Sequence, residues 1–201
     1  MQTPGEINLK ALFFNAFASR PRPAAGQIIR PSVRHDESDQ LRELLAAKTA
    51  TELTEDELRT VVEGNLWMLT SEAFLYFLPS FLHAALASYS SVSVFASELI
   101  GALTEPSRMD VVEALDQLAR LPSQLGLPQD MIELLRKQQL EWFDSGSPTG
   151  IFHERFDSLT HAEGAAILAF FVAFQEAHGA NFPFNELQTA VDRYWARYRN
   201  S

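Results

Sequence analysis

Thr70-Ser71-Glu72-Ala73-Phe74-Leu75-Tyr76-Phe77-Leu78-Pro79-Ser80-Phe81-Leu82 is the stretch on which the fold turns. Phe74, Phe77, Leu78, Phe81, Leu82, Ala85, Leu86 and Tyr89 fall three and four residues apart, the period of one helix face. Thr70 or Ser71 supplies the cap, because a hydroxyl there accepts from a backbone N–H left over in the first turn. Leu75 and Tyr76 carry apolar character onto other faces, so neighbours are expected to wrap this helix. Pro79 has no N–H to donate and crowds the carbonyl one turn earlier, which predicts a bend.

Other helix starts are legible outward from this centre. Thr3-Pro4-Gly5-Glu6 reads as a capping box with proline at the first helical position, followed by a stripe of Ile7, Ala11, Phe14 and Phe17. Arg20-Pro21-Arg22-Pro23 ends that helix, and residues 20–36 form an irregular Pro-rich segment in which Gln27-Ile28-Ile29-Arg30 fits a short extended piece. Asp36 or Ser38 opens a second helix through Leu41, Leu44 and Leu45. Thr54-Glu55-Asp56-Glu57 is another box, opening a short helix to Gly64. Further helices are expected over about Ser91 to Leu103, from Pro106 or Ser107 through Leu121, and from Met131 through Trp142. A Pro-flanked turn separates the last two, at Leu121-Pro122 to Leu127-Pro128. Asp144-Ser145-Gly146-Ser147-Pro148-Thr149-Gly150 reads as a loop. Thr160-His161-Ala162-Glu163 is a third box, heading a helix with Ile167, Phe170, Phe171 and Phe174, and a final helix from Pro183 carries Leu187, Val191, Tyr194, Trp195 and Tyr198.

Strand-like alternation persists only at residues 26–33 and 150–156, and no repeat of fixed length recurs. The expected fold class is all-α: a compact single-domain bundle of about eight helices around the Pro-bent helix, spanning 1–201, with 20–36 irregular and 144–152 a loop.

The chain has 201 residues, no cysteine and a formal net charge of -10. Zero cysteines exclude a disulfide scaffold, thiolate zinc and a Cys nucleophile. The acidic balance argues against nucleic acid, whose non-specific binders neutralise phosphates with Lys and Arg. The first residues lack the basic and apolar regions of a signal peptide, and the apolar runs Ala73 to Ala87 and Ala165 to Phe174 are too short for a span of roughly 20 residues. A cytoplasmic protein with no membrane association is the expectation. The charge is uneven. Residues 1–34 hold five basic residues against one acid, whereas residues 49–119 set eleven carboxylates against Arg59 and Arg108, a net of -9. Either the basic segment neutralises the acidic body internally or the body offers an acidic face to a basic partner.

No phosphate-binding glycine loop, nucleophile elbow or His-Glu-x-x-His is present. The richest set of ligand types is His153, Glu154, Asp157, His161 and Glu163. Capping accounts for Glu163, and His161 would sit unfavourably as a cation in a first helical turn, so a structural role is preferred to a metal site. His178 falls near a helix C-terminus, where a carbonyl contact suffices. His35-Asp36 is a lone dipeptide. Tyr194 and Trp195, beside Arg193, Arg197 and Arg199, fit a C-terminal helix docked into the body. No catalytic residue, metal or cofactor is assigned.

Leu69-Thr70-Ser71-Glu72-Ala73-Phe74-Leu75-Tyr76-Phe77-Leu78-Pro79-Ser80-Phe81-Leu82 resembles the signature of a bacterial family of unknown function, Leu-[Thr/Ser]-x-Glu-Ala-Phe-x-Tyr-[Tyr/Phe]-Leu-Pro-Ala-[Phe/Tyr]-Leu. Arg155 to Thr160 with Ala165 to Phe171 is similar to that family's second block. The likeness covers about residues 66–87 and 152–174, and loosely the region from Phe17 to Pro23. Ser80 replaces the usual alanine, and a glutamine often found in the family is absent at Glu163 and Gly164. The resemblance implies a bacterial source and a compact helical fold, and no activity.

Two functional readings follow. One is a non-enzymatic acidic interaction module, immunity- or antitoxin-like, meeting a basic protein through Glu52, Glu55, Asp56, Glu57 and Glu63. The other is a hydrolase- or lyase-like helical enzyme with a polar site between the 70–89 helix and the 153–163 segment, drawing on Glu72, Tyr76, His83, His153 and His161. Oligomeric state is left open.

Overall fold

The Thr70 hydroxyl accepts from the Ala73 N–H at 3.2 Å, and the helix it caps runs Ser71–Ala87. The computed structural model describes residues 4–33, 36–120 and 128–199. Its α-helices are α1 (Pro4–Ala16), α2 (Asp36–Ala47), α3 (Glu55–Glu57), α4 (Ser71–Ala87), α5 (Ser93–Ala102), α6 (Arg108–Ala119), α7 (Gln129–Asp144), α8 (Ser147–Phe156), α9 (His161–His178) and α10 (Glu186–Arg193). Short 3₁₀ turns join several of them, and α3 continues as a π-helical turn, Leu58–Val62. The fold is therefore all-α among the described residues, with ten α-helices where about eight were expected. Thr3, His35 and the turn at 121–127 lie outside the described residues, as do the side chains of residues 4–8 and Asp36.

The chain divides into two compact units, Met1–Thr104 with Asp157–Ser201, and Glu105–Phe156. In the first, α4 is buried nearly all round: Ala73, Phe74, Phe77, Leu78, Phe81 and Leu82 are fully buried. Its aromatic rings meet edge-on, Phe74 to Phe81 at 6.1 Å and Phe81 to Phe95 of α5 at 5.5 Å. Each buried Phe or Leu among them contributes about 1.5–3 kcal/mol on burial. Helices α1 and α9 pack on it and on each other, with Phe13 against Phe170 at 6.3 Å. Phe13 of α1 and Phe17 just beyond its end are buried, whereas Ala11 is exposed and Phe14 half-buried, so of the expected stripe's described side chains only Phe17 is buried.

The irregular segment crosses α4's N-terminus rather than pairing in a sheet. Ile29 forms one antiparallel bridge with Leu69, flanked by Arg30 N–H to the Met68 carbonyl at 2.9 Å and Thr70 N–H to the Ile28 carbonyl at 3.0 Å. At the other end, α10 breaks at Tyr194 into a 3₁₀ turn, Trp195–Tyr198. Trp195 is fully buried and donates its indole N–H to the Leu103 carbonyl at 2.7 Å, so the Tyr194-Trp195 pair docks into the body. Gly164 of α9 is required by this docking, since a Cβ there would stand 2.3 Å from the Tyr198 ring.

The second unit comprises α6, α7 and α8. Arg136 of α7 binds Asp116 of α6 at 2.5 Å, and Arg108 grips Asp144 through two hydrogen bonds of 2.8 and 3.2 Å. Leu115, Ile132, Phe152 and Phe156 form its buried apolar set, while Met109, Met131, Leu134 and Trp142 stay exposed. Residues 144–152 are not a loop. Gly146, at φ 78°, turns the chain, and α8 begins at Ser147 with Pro148 in its first turn, where a missing N–H costs nothing. The same composition that marks a turn also marks a helix start.

Candidate functional site

Most of the carboxylates in the 49–63 region serve local structure first. Glu52 accepts from the Thr49 N–H at 2.7 Å and the Thr49 hydroxyl at 2.8 Å. Glu57 closes the predicted box with Thr54 and pairs with Lys48 at 2.7 Å. Glu63 accepts from the Phe95 N–H at 3.0 Å, capping α5, while Glu98 of α5 accepts in return from Gly64 and Leu66 N–H at 2.7 and 3.1 Å. Asp56 meets Arg59 at 2.8 Å, and Glu55 accepts from the Ser88 hydroxyl at 2.5 Å. None of this hides the charge. Glu52, Glu55 and Asp56 remain exposed, Asp56 with 74% of its side chain in solvent. The Thr49 N–H and hydroxyl hold the Glu52 carboxyl below the usual range, and Lys48 followed by Thr54 does the same for Glu57.

Beside these acids opens a cavity of about 490 Å³. Its floor is the strip Ser80, His83, Ala84 and Ser88 of α4 and the residue that ends it; Lys10 and Phe14 of α1 form one wall, and Thr51, Leu53, Thr54, Glu55 and Asp56 the other. The lining hydroxyls are already committed as donors. Ser80 donates to the Ala50 carbonyl, Ser88 to Glu55, and Thr54 to Glu57 at 3.0 Å. The Thr49 proton goes to Glu52, so the 3.1 Å contact between Thr49 and Thr51 is donated by Thr51. A second concavity, of about 280 Å³ between α9 and α10, is walled largely by Leu168, Phe171, Val172, Leu187 and Val191 and contains no carboxylate.

Of the residues singled out in the sequence, His83 from the polar set and Glu55 and Asp56 from the acidic set line this one cavity. Glu72 is exposed in the first turn of α4, Tyr76 rests half-buried with its ring 4.9 Å from Phe77, and neither lines the cavity. His161 is exposed in the first turn of α9, 5.9 Å from the Tyr198 ring. His153 belongs to the second unit, where its Nε2 lies 3.3 Å from Glu105. Among the described residues no three His, Asp or Glu side chains gather as metal ligands. His178 has the carbonyl partner its position suggested: Nε2 lies 3.0 Å from the Leu86 oxygen at the end of α4, with the ring stacked on Tyr89 at 4.6 Å.

Glu163 does more than cap. It closes the box with Thr160 and, 1% exposed, receives the Arg20 guanidinium at 2.5 and 2.9 Å. Burial alone would push its carboxyl up; Arg20 and the Thr160 N–H outweigh that and hold it below the usual range. Arg22 donates to the Ala46 carbonyl at 2.5 Å and Arg30 to the Leu69 carbonyl at 3.0 Å. Arg20 thus meets Glu163, and Arg22 and Arg30 bind backbone carbonyls, while Arg22 also acts on Glu52 through its charge and Lys10 shares a cavity with Glu55 and Asp56.

Sequence reasoning missed Lys10, Thr51, Ser80 and Ser88 as cavity walls. Their trace was present: 80, 84 and 88 are small residues at four-residue spacing along an otherwise apolar helix face. No single helix among the described residues is long and apolar enough to cross a membrane. No protein-family model matches the chain, and neither a curated protein nor a solved structure matches it.

Proposed function

We propose that the protein is a non-enzymatic acidic interaction module of the bacterial cytoplasm, immunity- or antitoxin-like, that binds a basic protein through the edge formed by residues 49–63. The observation that carries this reading is the exposure of Glu52, Glu55 and Asp56 along one edge, where the acids at 52, 55, 56, 57 and 63 outnumber the cations that act on them, Arg22, Lys48 and Arg59. An edge on which acids outnumber cations accelerates encounter with a cationic partner. The caps support the reading further, because Glu52 and Glu57 stay ionised in mild acid. In this reading Pro79 bends α4 so that its Ser80–Ser88 half faces the edge, and the likeness of residues 66–87 and 152–174 to a bacterial family reflects shared descent.

Titration of a fluorescent arginine-rich peptide, read by anisotropy, tests this. Binding should weaken steeply with added salt, since exposed charges are screened beyond about 10 Å at 0.1 M. Absence of saturable binding at low salt would remove the proposal.

A further inference from the structure

The cavity beside the acidic edge has a chemical bias that its residue types alone do not reveal. Four hydroxyls line it, and each has given its proton away: Thr51 to Thr49, Thr54 to Glu57, Ser80 to Ala50 and Ser88 to Glu55. What they offer a ligand is lone pairs only. The carboxylates of Glu55 and Asp56 add acceptors of full negative charge, each with capacity beyond its present partner, the Ser88 hydroxyl for Glu55 and Arg59 for Asp56; His83 and Lys10 are the other polar side chains of the lining. Apolar surface from Phe14, Leu53 and Ala84 completes the lining. The volume of about 490 Å³ falls within the roughly 300–1,000 Å³ typical of ligand sites.

A lining rich in acceptors on three separate elements, with an apolar share, selects a ligand with many donors on a hydrocarbon stem. We propose that this cavity is the seat of an arginine side chain of the basic partner, its guanidinium on the Glu55, Asp56 and hydroxyl acceptors and its methylenes against Phe14, Leu53 and Ala84. The five-donor fork of guanidinium suits dispersed acceptors better than the point charge of an ammonium. Lys10 on the opposite wall repels the incoming cation and limits its affinity. This assignment rests on the acidic-edge reading and adds to it a socket.

The test uses the full chain and three probes: n-butylguanidine, its neutral counterpart n-butylurea, and a capped Gly-Gly-Arg-Gly-Gly peptide, followed by NMR shifts and calorimetry at low salt. Butylguanidine should bind, butylurea should not, and the peptide should displace butylguanidine. Glu55→Gln and Asp56→Asn should each weaken binding by about fivefold. Lys10→Met should strengthen it by about threefold. Thr51→Val removes an acceptor without changing shape and should weaken it; Ala84→Met fills the cavity and should abolish it, with circular dichroism confirming that the fold persists. Equal binding of butylurea, insensitivity to both Thr51→Val and Ala84→Met, or failure of the peptide to compete overturns the socket. If Glu52→Gln/Glu55→Gln/Asp56→Asn lowers arginine-rich peptide affinity while Ala84→Met leaves it unchanged, the socket fails and the edge stands. If no basic peptide binds at all, the edge itself fails.

Discussion

Glu163 shows how one side chain can answer two demands. Its N3 position in a capping box is local, but its burial needs a counter-ion, and Arg20 supplies one from 143 residues away. Its folded carboxyl lies below the unfolded one, so the stabilisation is complete above the ordinary glutamate value of about 4.3 and is lost as pH falls through the folded value. Glu163→Gln should cost about 1–3 kcal/mol at neutral pH and flatten the acid limb of the stability curve. Arg20→Ala, which strands the buried carboxylate with Thr160 alone, should cost about 3 kcal/mol and steepen destabilisation at neutral pH relative to acid. Urea melts across the acid range measure both. Only the cap was legible in the sequence, because Thr160 and Glu163 are three residues apart; nothing local points to Arg20.

Elements here begin where hydroxyls and carboxylates meet orphan N–H groups, which is why helix starts at 54, 70 and 160 could be read from sequence and some helix ends could not. Residues 144–150 defeated the reading because Ser-Gly-Ser-Pro serves a turn and a helix N-terminus equally; Gly146 provides the turn and Pro148 the start. The reciprocal contacts of Glu63 and Glu98 are invisible from spacing, since each acid lies on the element its partner caps. Glu98→Ala should cost about 1–2 kcal/mol by orphaning two N–H groups, and Glu63→Ala about 1 kcal/mol by uncapping α5. In the double variant the two losses should add to less than their sum, since both fix the same turn, which a thermodynamic cycle on thermal melts would detect.

At the scale of the molecule, the all-α architecture was legible from periodicity, whereas the division at residues 105 and 156 was not, because helical pattern is the same on both sides of it. The second unit holds few buried apolar residues and several exposed ones, so its opening should need less free energy. Native-state hydrogen exchange should show α6 and α7 amides exchanging through a sub-global opening while those of α4 and α9 exchange only on global unfolding. Uniform protection would contradict that order. Charge is likewise a property of the whole, and the -10 is sharpened by placement: many acids cap helices, and of those exposed at 52, 55 and 56, Glu55 and Asp56 line a cavity.

The most direct test of the acidic-edge account compares two triple variants of equal net charge by anisotropy with the arginine-rich peptide. One is Glu52→Gln/Glu55→Gln/Asp56→Asn, and the other removes three exposed acids elsewhere, Glu113→Gln/Glu133→Gln/Glu176→Gln. The account predicts that the first loses about tenfold or more in affinity, at roughly 0.5–1 kcal/mol per charge, while the second stays within about twofold of the parent. Equal losses in the two would show that net charge alone binds the peptide, and would contradict the claim that residues 49–63 form the site.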